Sequence, residues 1–336
     1  MIELAAIVVG VLSALFLPRV LSPFLLRLGV VDIPNSRSSH DVPTIRGMGL
    51  STAIGGGLGL WLLYLAAPGS ASVILGLAIV SIAAAVLGFV EDVRGIATGS
   101  RALLQIFIGL VFGGYVALTT GTSWFLLPVL AFVVVSYVNV ANFMDGIDGI
   151  SGLHGGVVGL SYALIGWWTG TTWMLHLGLL AAGIFLAFLP WNISRKRVFL
   201  GDVGSYLLGA WISGMAIMAI VSGLNAIAVA GPLAIYLADT GTTLLRRIQH
   251  GERWFEAHRS HVYQRLATGH RSHLRVAGMV SGFTAAAGGA SMVALFGGLI
   301  PTTLSIALLV LVTVTYLSLP AFIAARASAD PSGVSA

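Results

Sequence analysis

Carboxylates recur in this sequence at the ends of long apolar segments, where acidic residues are rare. Only 9% of the 336 residues are charged, whereas 57% are hydrophobic, and a carboxylate at the bilayer centre costs roughly 2.5–3.5 kcal/mol on insertion scales. One such residue marks a helix end as readily as a site. Five clusters on one side of a membrane favour a polar site, most simply one that gathers a cation and a phosphorylated ligand. The clusters are Glu91 with Asp92, Asp145, Asp148, Asp202 and Asp239.

The acidic pair Glu91-Asp92 ends the third apolar segment and is followed by cations. Arg94 comes two residues later, and Arg101 opens the next segment, with Gln105 one helical turn further on. Adjacent carboxylates beside cations suit a site that holds a metal ion and also accepts a proton. The alternative interpretation is a solvated turn with a charge pair at a helix end.

Two Asp-Gly steps lie within the segment Asn-Phe-Met-Asp-Gly-Ile-Asp-Gly, residues 142–149. Asp145 and Asp148 are three residues apart, each before a glycine that permits a tight or left-handed backbone. The alternating ligand pattern and closing glutamate of an EF-hand are absent. Turn formation explains one Asp-Gly step, but it explains two with a preceding Asn142 less well. These three polar residues are therefore candidates for ligand binding.

A second turn motif follows a cationic cluster. Asn192 and the basic residues 195–197 precede Phe-Leu-Gly-Asp-Val-Gly-Ser, residues 199–205. A Gly-Asp-x-Gly-Ser turn at a helix start offers backbone N–H groups, a hydroxyl and the Asp202 carboxylate to a phosphate–metal pair. Phe199 either stacks on a base or, as a lone aromatic residue in a membrane protein, simply packs.

The longest polar stretch, from Arg246 to Arg275, carries His-Arg-Ser-His at residues 258–261. Histidines three residues apart suit zinc, but no His-Glu-x-x-His motif and no thiolate accompany them. An arginine-rich, histidine-bearing loop fits a diphosphate better. A basic loop that only binds lipid headgroups is the alternative.

The elements that must position these residues are membrane helices. Stretches of about 17–25 apolar residues indicate spans, and the mean hydropathy is +0.97. The sequence therefore predicts an all-α, polytopic integral membrane protein with about eleven transmembrane helices. The predicted spans are residues 3–25, 48–67, 70–90, 101–119, 124–141, 154–169, 172–190, 203–222, 224–242, 276–298 and 300–322.

Lysine and arginine are distributed unequally between the two sets of loops. The connections near residues 68–71, 119–123, 170–172, 222–225 and 298–302 contain neither residue, whereas the other set is rich in both. By the positive-inside rule, the amino terminus lies outside, the carboxyl terminus inside, and every acidic cluster faces the cytoplasm.

Composition excludes several classes of protein. The net charge of +5 arises in juxtamembrane loops, where anionic lipid or a ligand diphosphate explains it better than nucleic acid does. The absence of cysteine excludes disulfides and thiolate chemistry. The first apolar segment lacks a basic n-region and a cleavage site, so we expect a retained helix. We expect one membrane domain over residues 1–326 and a disordered tail over 327–336.

Together these motifs resemble the polyprenyl-phosphate N-acetylhexosamine-1-phosphate transferases. This membrane superfamily, also called glycosyltransferase family 4, contains the MraY, WecA/TagO and WbpL types. The resemblance runs from about Val31 to Gln264, and the first loop, with Asp-Ile-Pro-Asn-Ser-Arg-Ser-Ser-His at 32–40 and Pro-Thr-Ile-Arg-Gly at 43–47, is closest to the WbpL type. The MraY type carries three consecutive histidines in its last loop, which argues against a muramyl-pentapeptide substrate. Glu91 departs from the family's Asp-Asp pair, so which of Glu91 and Asp92 acts as base stays open.

The resemblance implies a reaction and a set of residues. A UDP-N-acetylhexosamine would donate its sugar 1-phosphate to polyprenyl phosphate in a bacterial inner membrane, and UMP would leave. Mg²⁺, or Mn²⁺ in its place, would bind Asp202, shared with Asp92; a homodimer is one assembly to consider. The catalytic residues would be Glu91, Asp92 and Asp202. The substrate-binding residues would be Asn142, Asp145, Asp148, Phe199, Gly201, Arg94, Arg101, Arg37, His40, Arg46, Asn192, Asp239, His258, Arg259 and His261.

Two other functions share some of these features. A transporter for an anionic metabolite would also combine many spans with buried charges, but the charges here cluster at one face and no internal repeat is evident. A polytopic glycosyltransferase that attacks the anomeric carbon would release UDP. It needs carboxylates that flank a sugar ring, and no such pair is evident in the sequence.

Overall fold

The computed structural model describes residues 1–33, 43–194, 198–252, 260–268 and 272–329. Arg37, His40, His258 and Arg259 lie outside these ranges. Helices account for nearly all of the described chain. They are α1 (Ile2–Arg27), α2 (Leu50–Ala66), α3 (Ala71–Arg94), α4 (Thr98–Thr120), α5 (Leu127–Met144), α6 (Ile150–Thr169), α7 (Thr172–Asn192), α8 (Gly201–Val221), α9 (Ala226–Ala230), α10 (Ala234–Gln249), α11 (Val262–Ala267), α12 (His273–Met292) and α13 (Leu299–Ala329).

The predicted all-α membrane architecture is confirmed, with one adjustment to the number of spans. Ten helical segments in the described residues are long and apolar enough to cross a membrane. The remaining predicted span, residues 48–67, corresponds to α2, an apolar helix of 17 residues, which is at the lower limit of spanning length. The segment Ala226–Gln249 combines α9, a 3₁₀ turn containing Pro232 and α10.

The helix ends explain how the motifs meet. Helices α3, α5 and α7 end where α4, α6 and α8 begin, so all six termini lie at one end of the bundle. We call this end, with the loops that join these helices, the polar end. Helix α8 packs against both α3 and α5, and 94% of its apolar 18-residue stretch is buried. The most enclosed helix therefore begins at the candidate site.

A small β structure, which the sequence did not predict, joins two loops at the polar end. Strand β1 (Val31–Asp32) pairs antiparallel with β2 (Thr44–Ile45), and Ile45 forms a parallel bridge to Val198. The backbone N–H of Phe199 donates to the Ile45 carbonyl at 2.8 Å, and the Met48 N–H donates to the Phe199 carbonyl at 3.0 Å. These bonds hold the loop before α2 against the start of α8.

The carboxyl-terminal helix differs from α8 in its surroundings. Helix α13 continues to Ala329, and only 11% of its apolar 18-residue stretch is buried. Residues 330–336 lie outside the described ranges, so disorder of the tail stays a prediction.

Candidate active site

Asp92 and Asp202 come together where α3 meets the first turn of α8. The backbone N–H groups of Asp202 and Val203 donate to the two oxygens of Asp92 at 3.0 and 2.9 Å. The first N–H groups of a helix lack intrahelical partners and carry partial positive charge. The Asp92 carboxylate, which is fully buried, thereby caps α8 and orients Asp202.

Arg46 lies between the two carboxylates. Its Nε is 2.7 Å from Asp92 Oδ1, and its Nη2 is 2.7 Å from Asp202 Oδ2. Although partial burial opposes the charged guanidinium, Asp202 and Asp92 outweigh this effect and raise the pKa of Arg46. The residue follows β2 directly, so the β structure places it over the start of α8.

A close backbone approach brings these groups together. Gly201 has a φ of +73°, a conformation that L side chains rarely adopt. A Cβ atom there would lie 2.6 Å from both Asp92 Oδ2 and the Gly47 nitrogen. The role of Gly201 that the structure supports is therefore to admit this packing.

The end of α5 supplies the other partners of Asp202. The Asn142 amide donates to Asp202 Oδ1 at 2.7 Å and to the Ser205 hydroxyl oxygen at 3.1 Å. Three residues later, Asp145 accepts a hydrogen bond from the Ser151 hydroxyl at 2.6 Å. Desolvation, together with the nearby carboxylates of Asp202, Asp92 and Asp148, raises the pKa of Asp145 to about 7, and the Ser151 hydrogen bond opposes this shift.

Glu91 faces a different neighbour from Asp92. Arg101 Nη1 lies 3.3 Å from Glu91 Oε1, and Glu91 Oε2 is buried with no hydrogen-bond partner among the described residues. Below this pair in α4, Gln105 accepts a hydrogen bond from the Asn139 amide at 2.7 Å. Glu91 and Asp92 therefore occupy two distinct environments, a difference that their adjacency in sequence does not reveal.

Asn192 and Asp148 connect further loops to the site. Asn192 accepts a hydrogen bond from the Gly149 N–H at 2.5 Å and donates to the Val198 carbonyl at 2.9 Å, so it joins the two turn motifs. Asp148 Oδ2 lies 3.0 Å from Nδ1 of His273, the first residue of α12. His273 lies in the polar stretch noted in the sequence, but no motif distinguished it there.

Asp239 is buried in α10 and holds the chain that re-enters the bundle at α11. Its Oδ1 lies 3.1 Å from His261 Nδ1 and accepts from the Val262 N–H at 2.9 Å. Its Oδ2 accepts from the Tyr263 N–H at 3.2 Å and the Tyr316 hydroxyl at 2.6 Å. The structure thus brings two predicted residues, Asp239 and His261, into direct contact, and adds tyrosines that sequence reasoning missed.

Two further predicted residues within the described ranges, Arg94 and Phe199, lie at the same end. Arg94 is exposed in the last turn of α3. Phe199 is partly buried between Val198 and the start of α8. The backbone bonds of Phe199 to Ile45 and Met48 show why its position is fixed.

The residues at this centre fit a divalent cation that is completed by a ligand. Asp202 retains 13% side-chain exposure, whereas Asp92 has none. Within the described ranges, no group of three or more histidines or acidic residues forms an all-protein metal site. Mg²⁺ commonly binds through one or two carboxylates together with substrate phosphates and water. Asp202 would supply the one carboxylate that such an arrangement requires.

An apolar helical bundle that gathers carboxylates, amides and an arginine at one end has the make-up of a membrane-embedded enzyme for phosphorylated substrates. Residues 74–220 match the family described as glycosyl transferase family 4. This segment contains α3 to α8 almost completely, and with them Asp92, Asn142, Asp145 and Asp202. This match, together with the relatives described next, supports the polyprenyl-phosphate hexosamine-1-phosphate transferase superfamily.

Several curated proteins are similar to this chain over much of its length. A probable undecaprenyl-phosphate N-acetylglucosaminyl 1-phosphate transferase of Bacillus subtilis is 24% identical over 80% of the chain and 78% of its own length. A decaprenyl-phosphate N-acetylglucosaminephosphotransferase of Mycobacterium tuberculosis is 26% identical over 74% and 72%. A phospho-N-acetylmuramoyl-pentapeptide-transferase of Synechococcus is 29% identical over 63% and 68%. The names of these relatives all specify a transferase, but they differ in the sugar.

Proposed function

We propose that this protein transfers N-acetylhexosamine 1-phosphate from a UDP-N-acetylhexosamine to polyprenyl phosphate, undecaprenyl phosphate in bacteria. The products are polyprenyl-diphospho-sugar and UMP. The observation that carries the proposal is the cluster of Asp92, Asp202, Asn142 and Arg46 at the start of α8. This cluster lies at the membrane boundary, where a soluble nucleotide and a lipid phosphate are able to meet.

The reaction exchanges one phosphoanhydride bond for another. A phosphate oxygen of the lipid attacks the β-phosphorus, and the bond from that phosphorus to the oxygen bridging to the α-phosphorus breaks. UMP leaves with the electron pair of that bond. Mg²⁺, with Mn²⁺ as a substitute, would bind Asp202 and offset the charge of the diphosphate. Because Asp92 accepts two backbone N–H groups, it holds Asp202 in place for this role.

Other residues are assigned by position and chemistry. Either Glu91 or Asp92 orients the lipid phosphate or accepts its proton. Within the described ranges, Glu91 has a buried oxygen without a hydrogen-bond partner. Arg101, which lies beside Glu91, binds the lipid phosphate through its positive charge. Phe199 and Asp148 contact the uracil, with Asn142 and Asp145 close by. His258, Arg259 and His261 hold the diphosphate, although the first two lie outside the described residues.

The cellular setting belongs to the same proposal. The polar end faces the cytoplasm of a bacterium, where UDP-sugars are found, and the product starts a surface polysaccharide such as O-antigen. The muramoyl-pentapeptide relative is 29% identical, and the N-acetylglucosamine relatives are 24% and 26% identical over more of the chain. A panel of UDP-sugars is therefore needed to identify the amino sugar.

The fate of the β-phosphorus tests the proposal. Purified protein in detergent would receive UDP-sugars labelled with ³²P at the β-position, polyprenyl phosphate and Mg²⁺. We expect the label in the lipid fraction and unlabelled UMP in the aqueous fraction. Label that stays in UDP while the sugar moves to lipid would indicate attack at the anomeric carbon. Uptake of intact UDP-sugar into vesicles, with no conversion, would indicate a transporter.

A further inference from the structure

Tyr316 is an unusual residue in its helix. Most of α13 faces outward, with exposed side chains such as Leu311, Val314 and Phe322. Tyr316 is instead fully buried, and its hydroxyl donates to Asp239 Oδ2 at 2.6 Å. A buried hydroxyl costs free energy unless it is hydrogen-bonded. The contact therefore attaches an otherwise lipid-facing helix to one particular carboxylate.

Through Asp239, the Tyr316 contact fixes the position of the start of α11. A carboxylate offers about four lone-pair sites, and His261 Nδ1, the Val262 and Tyr263 N–H groups and the Tyr316 hydroxyl surround it. The two N–H groups belong to the first turn of α11, so Asp239 caps that helix as Asp92 caps α8. The carboxylate also orients the His261 ring, since one ring nitrogen faces Asp239.

Helix α11 in turn contacts the end of α5. The Tyr263 hydroxyl donates to the Phe143 carbonyl at 3.0 Å, and the His261 and Phe143 rings lie 6.4 Å apart between centroids. Phe143 immediately precedes Met144 and follows Asn142, which binds Asp202. A shift of Asp239 would therefore change where His261 lies relative to Asp92 and Asp202.

We propose that Tyr316 is a positioning residue for the transfer reaction. Its hydroxyl fixes the Asp239 carboxylate, and this carboxylate holds His261 and the start of α11 against the end of α5. The inference rests on the proposed function for its kinetic readout. It assigns a role in the site to α13, which lies beyond the segment that matches the family.

Tyr316→Phe tests the proposal, because it keeps the ring packed beside Phe283 and removes only the hydroxyl. If His261 holds the diphosphate, the KM for UDP-sugar should rise about tenfold, with a smaller change in kcat. A tenfold change corresponds in free energy to about one hydrogen bond to a charged group. A purely structural role would instead lower the active fraction and leave KM unchanged. Tyr162→Phe is the matched control, because Tyr162 is fully buried and its hydroxyl has no hydrogen-bond partner in the part of the chain that the structure describes.

Coupling to His261 provides the second measurement. His261→Asn should raise KM by at least as much, and Tyr316→Phe should add little in that background, because coupled residues are not additive. Independent effects, or an unchanged KM in folded Tyr316→Phe, would overturn the proposal. If Tyr316→Phe does not fold, Asp239→Asn instead removes the charge and one of the two acceptor oxygens, and an unchanged KM there has the same meaning.

Amide hydrogen exchange separates failure of this inference from failure of the proposed function. We expect Val262 and Tyr263 to lose protection in Tyr316→Phe and to keep it in Tyr162→Phe, whether or not the protein transfers sugar phosphate. An inactive wild type with this exchange pattern would contradict only the proposed function. An active wild type with unchanged exchange and unchanged KM in Tyr316→Phe would contradict only the inference.

Discussion

Asp92 and Asp202 carry the same functional group in opposite surroundings. Asp92 is fully buried, and its two oxygens accept backbone N–H groups of α8 and face Arg46. Asp202 keeps some exposure, and its partners Arg46 and Asn142 are side chains that a ligand is able to displace. The structure therefore separates a carboxylate that is enclosed by backbone donors from one that stays partly exposed.

Replacing each carboxylate by its amide should give two distinct results. Asp202→Asn removes the charge that would bind Mg²⁺, so activity should fall by orders of magnitude with little change in melting temperature. Asp92→Asn removes the buried charge that pairs with Arg46 and accepts the first N–H groups of α8, so the folded state loses stability. Its melting temperature should fall clearly. Equal melting temperatures for the two variants, measured in the same detergent, would contradict this division.

The pKa of Asp145 predicts a pH dependence of stability. A folded-state pKa of about 7, above the ordinary value for aspartate, means that the folded state binds this proton more tightly than the unfolded chain. Stability from this group is therefore fully present below about pH 4 and is lost as the pH rises toward 7. In metal-free buffer, the melting temperature of wild type relative to Asp145→Asn should fall between pH 5 and pH 7 and level off above pH 8. A flat or rising difference would contradict the assignment.

The close approach of α3 to α8 sets the position of Asp202. Gly88 of α3 lies against the backbone at Asp202 and Val203, where a Cβ atom would overlap the main chain. Gly88→Ala must move the start of α8, and we expect at least a tenfold loss of kcat/KM, since small misplacements of a reacting group are costly. Gly57→Ala in α2 is the control, because nothing lies within 4 Å of its Cβ position. An active Gly88→Ala variant would show that the site tolerates this shift.

The helices could be predicted from the sequence because membrane spans depend on local hydropathy. All eleven predicted apolar segments correspond to helices, and the motifs at Asp145 and Asp202 do lie at helix ends. The pairings between them depend on tertiary packing, which local patterns do not encode. The bridge from Ile45 to Val198, the cap of α8 by Asp92 and the contact of Tyr316 with Asp239 each join residues more than 70 positions apart. No spacing rule within a single sequence identifies such partners.

For the molecule as a whole, the orientation in the membrane determines which substrates reach the site. The chain has no cysteine, so single cysteines are detected without background. Ser123 is exposed between α4 and α5 at the far end of the bundle, and Ser100 is exposed at the polar end. We expect an impermeant thiol reagent to label Ser123→Cys in intact cells, and Ser100→Cys only after the membrane is opened. The reverse pattern would place the polar end outside the cell.

Phosphoryl transfer at the β-phosphorus is the proposed reaction, and isotope exchange detects it. Because one phosphoanhydride replaces another, the equilibrium constant should lie within about two decades of unity, under roughly 3 kcal/mol. Purified protein incubated with UDP-sugar, polyprenyl phosphate, Mg²⁺ and labelled UMP should therefore place label in the UDP-sugar pool, and Asp202→Asn should abolish this exchange. Release of UDP with no exchange of UMP at any concentration would contradict the account.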